Sequence, residues 1–235
     1  MALKSWNRLS KQATRRIIPT ARATALAVAF AVSLSQPALA VQVTPPAVPP
    51  NIEVQAGNHA FLVGHAVGTQ NYICVPSASS ASGVGYALFT PEATLFSDDF
   101  KQVTTHFFSP NPSETNTSPA LVADGPIRAT WQHSRDSSSV WGKVRPADPG
   151  VPGDLGDAST DPAFVEKGAI AWLKVTVTGT EAGPTGGDIL TKTTFVQRLN
   201  TSGGIAPSTG CTSPSNVGNQ AFVPYTADYF FYTDQ

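Results

Sequence analysis

The sequence predicts an all-β protein, an antiparallel β-sandwich or barrel with long Pro/Gly/Ser-rich loops. Three observations carry that expectation. Short apolar or β-branched runs alternate with Gly, Pro, Ser and Asp clusters, no stretch keeps a 3.6-residue periodicity between caps, and residues 169–178 show a clear period of two. With no helical crossover between the runs, sequential antiparallel pairing is the economical arrangement.

The runs in chain order are 59–66, 70–75, 84–89, 100–108, 127–133, 139–145, 169–178, 193–199 and 221–232, the last a candidate for interruption at Pro224. In 169–178, Leu173, Val175 and Val177 point one way and Lys174, Thr176 and Thr178 the other, as a half-buried strand requires. Residues 131–142 read as a hairpin turning at Asp136-Ser137. A two-residue turn there sets Trp131 opposite Gly142 and His133 opposite Val140 on one face, with Gln132 and Trp141 on the other. Residues 109–126 and 146–168 are loops, because their prolines remove ladder donors and their glycines favour turns.

Residues 1–40 are expected to be a cleavable signal peptide. Lys4, Arg8, Lys11, Arg15, Arg16 and Arg22 precede an apolar run of about a dozen small residues, and the segment closes on Pro37-Ala38-Leu39-Ala40. That run falls well short of the roughly 20 residues a membrane span needs. Arg15-Arg16 also fits a twin-arginine export signal, with general export the first choice. Residues 41–51 hold four prolines and read as an extended spacer, leaving 52–235 as one β-rich domain.

Cleavage changes the charge. Six of the 15 basic residues leave with the leader and all 16 acids stay, so nine face 16 and the net charge moves from −1 to −7. A domain so acidic, with scattered cations, lacks the basic footprint of a nucleic-acid binder. Nothing after residue 40 is apolar enough for a stable membrane span. Two cysteines in an exported chain, without paired C-x-x-C spacing, read as one Cys74–Cys211 bridge. The expected location is periplasmic or extracellular.

Residues 68–74 (GTQNYIC), 196–207 (VQRLNTSGGIAP) leading to Gly210-Cys211, and 223–232 (VPYTADYFFY) together resemble the exported domain-of-unknown-function family 3455. The Trp131 hairpin and the 169–173 run fit the same pattern. The resemblance implies export, a β-rich domain and the Cys74–Cys211 pairing, and brings no established activity or site. Two places depart from it: Asp136-Ser137 replaces the usual Asp-Gly, and the stretch after His106 runs into a longer Ser/Pro/Asn loop.

Candidates for chemistry are few. Neither Gly83-Val-Gly85 nor the 179–183 stretch has the spacing of a dinucleotide site, so no cofactor is implied. Of four histidines, His59 and His65 lie about 20 Å apart on one straight strand, too far to share a metal, and no metal site is expected. G-x-S-x-G is absent. The aromatics Trp131, Trp172, Tyr225, Tyr229, Phe230, Phe231 and Tyr232 read mostly as core, whereas Trp141 is the exposed candidate for stacking on a ligand. Arg198 and Asp228 sit within apolar C-terminal runs, where a mutual ion pair or a hydrogen-bonded corner would offset their burial. The functional expectation is an exported module binding a small ligand, glycan or cell-envelope partner, with His106, His133 and Trp141 as binding candidates. The alternative is an exported hydrolase with His106 or His133 as general base.

Overall fold

The computed structural model describes residues 43–109 and 128–235. The alternating runs become nine strands: β1 (His59–Pro76), β2 (Val84–Phe96), β3 (Gln102–Ser109), β4 (Arg128–His133), β5 (Ser139–Lys143), β6 (Ala158–Ser159), β7 (Trp172–Glu181), β8 (Phe195–Gly203) and β9 (Gln220–Thr233). They pair antiparallel in the order β5-β4-β3-β2-β1-β9-β8-β7, and β5 pairs in turn with β7, closing eight strands into a barrel. Of the two architectures the sequence allows, the barrel is the one that leaves no open edge among these eight strands. The two-residue β6 lies beside the start of β7, where β5 does not reach. No α-helix occurs among the described residues, and none of their helices is long and apolar enough to cross a membrane.

Four of the strands, β1, β2, β8 and β9, are longer than their apolar runs. The runs 59–66 and 70–75 are one strand, β1, paired with β9 over His59–Ile73 and with β2 over His65–Pro76. The run 84–89 continues through Pro91 to Phe96, because Pro91 sits just beyond the β2–β3 ladder, whose last pair is Glu92 with Phe107. There the missing N–H interrupts no bond to β3, and the hydroxyl of Thr90 accepts the N–H of Phe108 at 3.1 Å instead. Pro224 does not break β9 either: it pairs opposite Thr69, and its carbonyl accepts the N–H of Gly204 at 3.0 Å.

The β4–β5 hairpin forms with a register two residues from the expected one: Trp131 faces Val140 and Ala129 faces Gly142. Five residues, 134–138, join the two strands, and the turn is closed by Ser137 N–H donating to His133 O at 2.9 Å, with Ser137 at φ +59°. Asp136 Oδ1 accepts from Ser138 N at 3.0 Å and from Ser138 Oγ at 2.8 Å, which stabilises the larger turn. Because the shift is even, the faces survive: Trp131 is buried inside the barrel, and Gln132 and Trp141 lie outside.

Two cores follow. Inside the barrel pack Ala66, Ala93, Leu95, Trp131, Val140, Val175, Val196, Tyr225, Ala227, Tyr229 and Phe231. The opposite parity of β8 and β9 supplies Leu199, Phe230 and Tyr232 to a second core outside the wall, with Ile52, Val165 and Trp172. Val43 and Val48 pack against this outer core. Asn51 Nδ2 donates to Gly156 O (3.0 Å) and Ala158 O (2.8 Å), and Gln197 Nε2 donates to Ile52 O at 2.6 Å. The segment expected to be a spacer is thus laid on the barrel from Val43 onward. Its prolines offer no N–H groups needing partners, so side chains of the wall suffice to hold it.

Cys74, near the end of β1, is bridged to Cys211 in the loop before β9, with Cα atoms 5.5 Å apart. The pairing is the expected one.

Candidate ligand-binding site

β8 and β9 place their polar residues by parity. Val196 faces inward, so Arg198 does too, while Gln197 and Leu199 face out. On β9, Tyr225, Ala227, Tyr229 and Phe231 face inward, and the register sets Arg198 directly opposite Tyr229. On β3 and β4 the register sets His106 opposite Trp131. Their rings stack with centroids 4.3 Å apart and planes within 2°, and Tyr229 meets both at an angle.

His106, Trp131, Arg198 and Tyr229 line a cavity of about 340 Å³ inside the barrel, whose lining also includes Gln70, Leu88, Phe108, Leu173 and Val175. The size lies at the lower end of small-ligand pockets, and the mixture of an apolar wall with a few convergent polar groups is what such pockets show. Lys143, exposed, stands on its lining. The strand ends on this side are those of β3 at Ser109 and β4 at Arg128; residues 110–127, which include nearly all of the Ser/Pro/Asn loop singled out in the sequence, lie outside the described residues.

The protonation states are set by burial. Desolvation pushes His106 down to about 3; a hydrogen bond from its Nδ1 to Thr130 O (2.9 Å) opposes this, and the Arg198 charge adds to it. The carbonyl partner makes Nδ1 the protonated nitrogen and leaves the Nε2 lone pair as an acceptor. Burial raises Tyr225 well above the ordinary phenol range and raises Tyr229 as well, against the opposing pull of Arg198. The two hydroxyls lie 3.2 Å apart, and both stay protonated at neutral pH. Arg198 Nε and Nη2 donate to Ala171 O at 3.2 and 2.9 Å. Gln70 Oε1 and Trp131 Nε1 are buried on the lining without a hydrogen-bond partner.

The chain belongs to the family described as protein of unknown function, DUF3455, whose pattern matches residues 55–233. No curated protein and no solved structure matches it. The DUF3455 pattern therefore spans all nine strands, the bridge and the cavity.

Of the residues singled out in the DUF3455 sequence, His106 and Arg198 meet in the cavity, beside Trp131 and Tyr229, which the sequence placed in the core. His133 is buried beside the hairpin turn, where its Nδ1 accepts the N–H of Arg135 at 3.2 Å and lies 3.4 Å from Asp136 Oδ1; it does not line the cavity. Trp141 stands on the outer wall, its ring against Gly179, where a Cβ would come within 2.6 Å of the indole, and beneath the Arg128 guanidinium at 4.8 Å. Of the two arrangements expected for Arg198 and Asp228, the mutual ion pair is not formed, and each is hydrogen-bonded to partners of its own. Asp228 is one residue out of phase with Arg198's partner Tyr229, so it faces outward and bonds His65 Nδ1 (2.6 Å) and Asn200 Nδ2 (2.8 Å). His65 Nε2 bonds Asp98 at 2.8 Å. Gln70 and Tyr229 were not among the expected binding residues. Strand parity carried from Ala66 through Gly68 would have found Gln70, had β1 been read as unbroken.

Proposed function

We propose that this domain is a binding module that houses a small, largely apolar molecule inside its barrel. The observation that carries the reading is the cavity itself: an apolar interior holding buried polar atoms of Gln70 and Trp131 that no group among the described residues satisfies. Such atoms are costly in a closed core and useful in a site that a ligand completes. The hydrolase reading has no such support. A histidine pushed to about 3 is a poor base at neutral pH, and His106 is oriented by a carbonyl, not a carboxylate. A glycan platform on Trp141 is opposed by Arg128 and Gly179, which already occupy its surroundings.

Titration of the purified protein with the neutral dye N-phenyl-1-naphthylamine should give saturable fluorescence enhancement at one site. Ala129→Trp, which fills the cavity from β4, should weaken that binding at least tenfold while leaving the far-ultraviolet dichroism unchanged. Equal binding by both proteins, or none by the native one, would remove the reading.

We also propose that the protein is exported by cleavage after Ala40. The basic and apolar halves of the leader support this, as does the Cys74–Cys211 bridge, which fits an oxidising compartment. N-terminal sequencing from the native host should find Val41 first, and a mature chain starting before residue 23 would refute the proposal. Joint replacement of Arg15 and Arg16 by lysine should stop export only if the twin-arginine route is used.

A further inference from the structure

Arg198 is a buried cation without a counter-ion. Its guanidinium carries a permanent positive charge, only 8% of the residue is exposed, and no carboxylate pairs with it among the described residues. The groups around it are neutral: Tyr225 and Tyr229 are held protonated, and His106 is held unprotonated. Two of the five N–H donors of the guanidinium go to Ala171 O and the Tyr229 hydroxyl takes a further bond, neutral dipoles that leave the charge uncompensated. Among the described residues, the other charge on the cavity lining, Lys143, is also positive, and no acid lines the cavity. A domain with a net charge of −7 after leader cleavage thus buries one of its nine cations, Arg198, on the cavity lining, while Lys143 stands exposed at its edge.

We infer that the cavity takes an apolar molecule bearing a single carboxylate, with the carboxylate on Arg198. This rests on the reading of the cavity as a ligand site and names the chemistry of its occupant. The planar fork of a guanidinium matches a carboxylate in two parallel hydrogen bonds, and inside a cavity of low polarity that pairing is strong. The Trp131 N–H supplies a further donor within the same lining, whereas the unpartnered Gln70 Oε1 there is an acceptor. One buried guanidinium balances one negative charge; a phosphate dianion would leave surplus charge among Leu88, Phe108, Leu173 and Val175. The stacked ring wall of His106 and Trp131 suits a flat or slender apolar body.

Two matched pairs test it by calorimetric titration at pH 7: 2-naphthoate against 2-naphthylmethanol, and octanoate against 1-octanol. The native protein should bind at least one acid about tenfold or more tightly than its alcohol, as a charge-assisted contact predicts. Arg198→Met, of similar length and apolar, should abolish the preference while the alcohol binds as well as before. Its thermal melt should show a folded protein, and Arg198→Lys should keep a reduced preference as a folded control that retains the charge. An alcohol bound as tightly as its acid overturns the anion inference and leaves the cavity reading standing. A preference that survives Arg198→Met overturns the assignment to Arg198. Failure of all four molecules to bind removes both readings.

Discussion

His106 shows what the barrel interior does to one titratable side chain. Folded, its ring stays neutral down to about pH 3; unfolded, it takes up a proton below its ordinary value near 6.5. Between those values the unfolded chain binds the extra proton, so stability falls as pH falls, by up to about 1.4 kcal/mol per pH unit. His133, lowered chiefly by burial, acts in the same direction. His65 acts in the opposite one: burial would lower it, but its bonds to Asp228 and Asp98 prevail and raise it, so its contribution is complete below about 6.5 and fades as pH rises through the raised value. His106→Phe keeps a ring against Trp131 and removes the titration. Melting temperatures measured from pH 6.5 to 4 should therefore decline less steeply for this variant than for the native protein; parallel slopes would show that His106 titrates freely. The inward placement of His106 and Arg198 is a matter of strand parity, readable in principle from sequence. The separation of Arg198 from Asp228 is not, because it depends on how β8 and β9 are registered.

At the scale of an element, the β4–β5 hairpin was legible in kind and not in register. Alternation marked its two strands and its faces, but the size of the turn was decided by Asp136, whose carboxylate serves Ser138 and also accepts the N–H of Ile189 at 2.9 Å from a distant loop. Burial pushes that carboxyl up, and these N–H and O–H donors outweigh it and hold it below its usual range. Ser137 occupies the left-handed region at φ +59°, where a side chain costs about 1–2 kcal/mol and glycine does not. Ser137→Gly should accordingly raise stability by about 1 kcal/mol, after the entropy of the freer unfolded glycine is subtracted. Asp136→Ala should lower it by about 2 kcal/mol, since it strands donors that a charged acceptor now serves. Denaturant midpoints of the two variants check both signs, and a destabilising Ser137→Gly would contradict the turn geometry. The prolines teach a related lesson: Pro91 and Pro224 look like strand ends in sequence, yet each sits where no required ladder bond is lost.

Across the whole molecule, the outer core explains why a proline-rich segment is part of the folded unit. Ile52 is fully buried against Leu199, Phe230 and Tyr232, residues whose outward parity on β8 and β9 would otherwise leave large apolar surface in water. Composition and period-two alternation by themselves determined that this chain is β-rich and antiparallel, since they reflect local backbone preferences and the one-sided burial of each strand. The count of its cysteines and their expected export, with the family resemblance, pointed to the bridge. Barrel over sandwich, the docking of residues 43–54, and the cavity with its unpaired Arg198 were decided only by the tertiary structure. They depend on contacts between residues far apart in the chain: β5 closing on β7, Ala171 O reaching Arg198 across 27 positions, and His106 meeting Tyr229. No local pattern encodes those distances, because a strand's side chains alternate identically whether the sheet they belong to stays open or closes around a space.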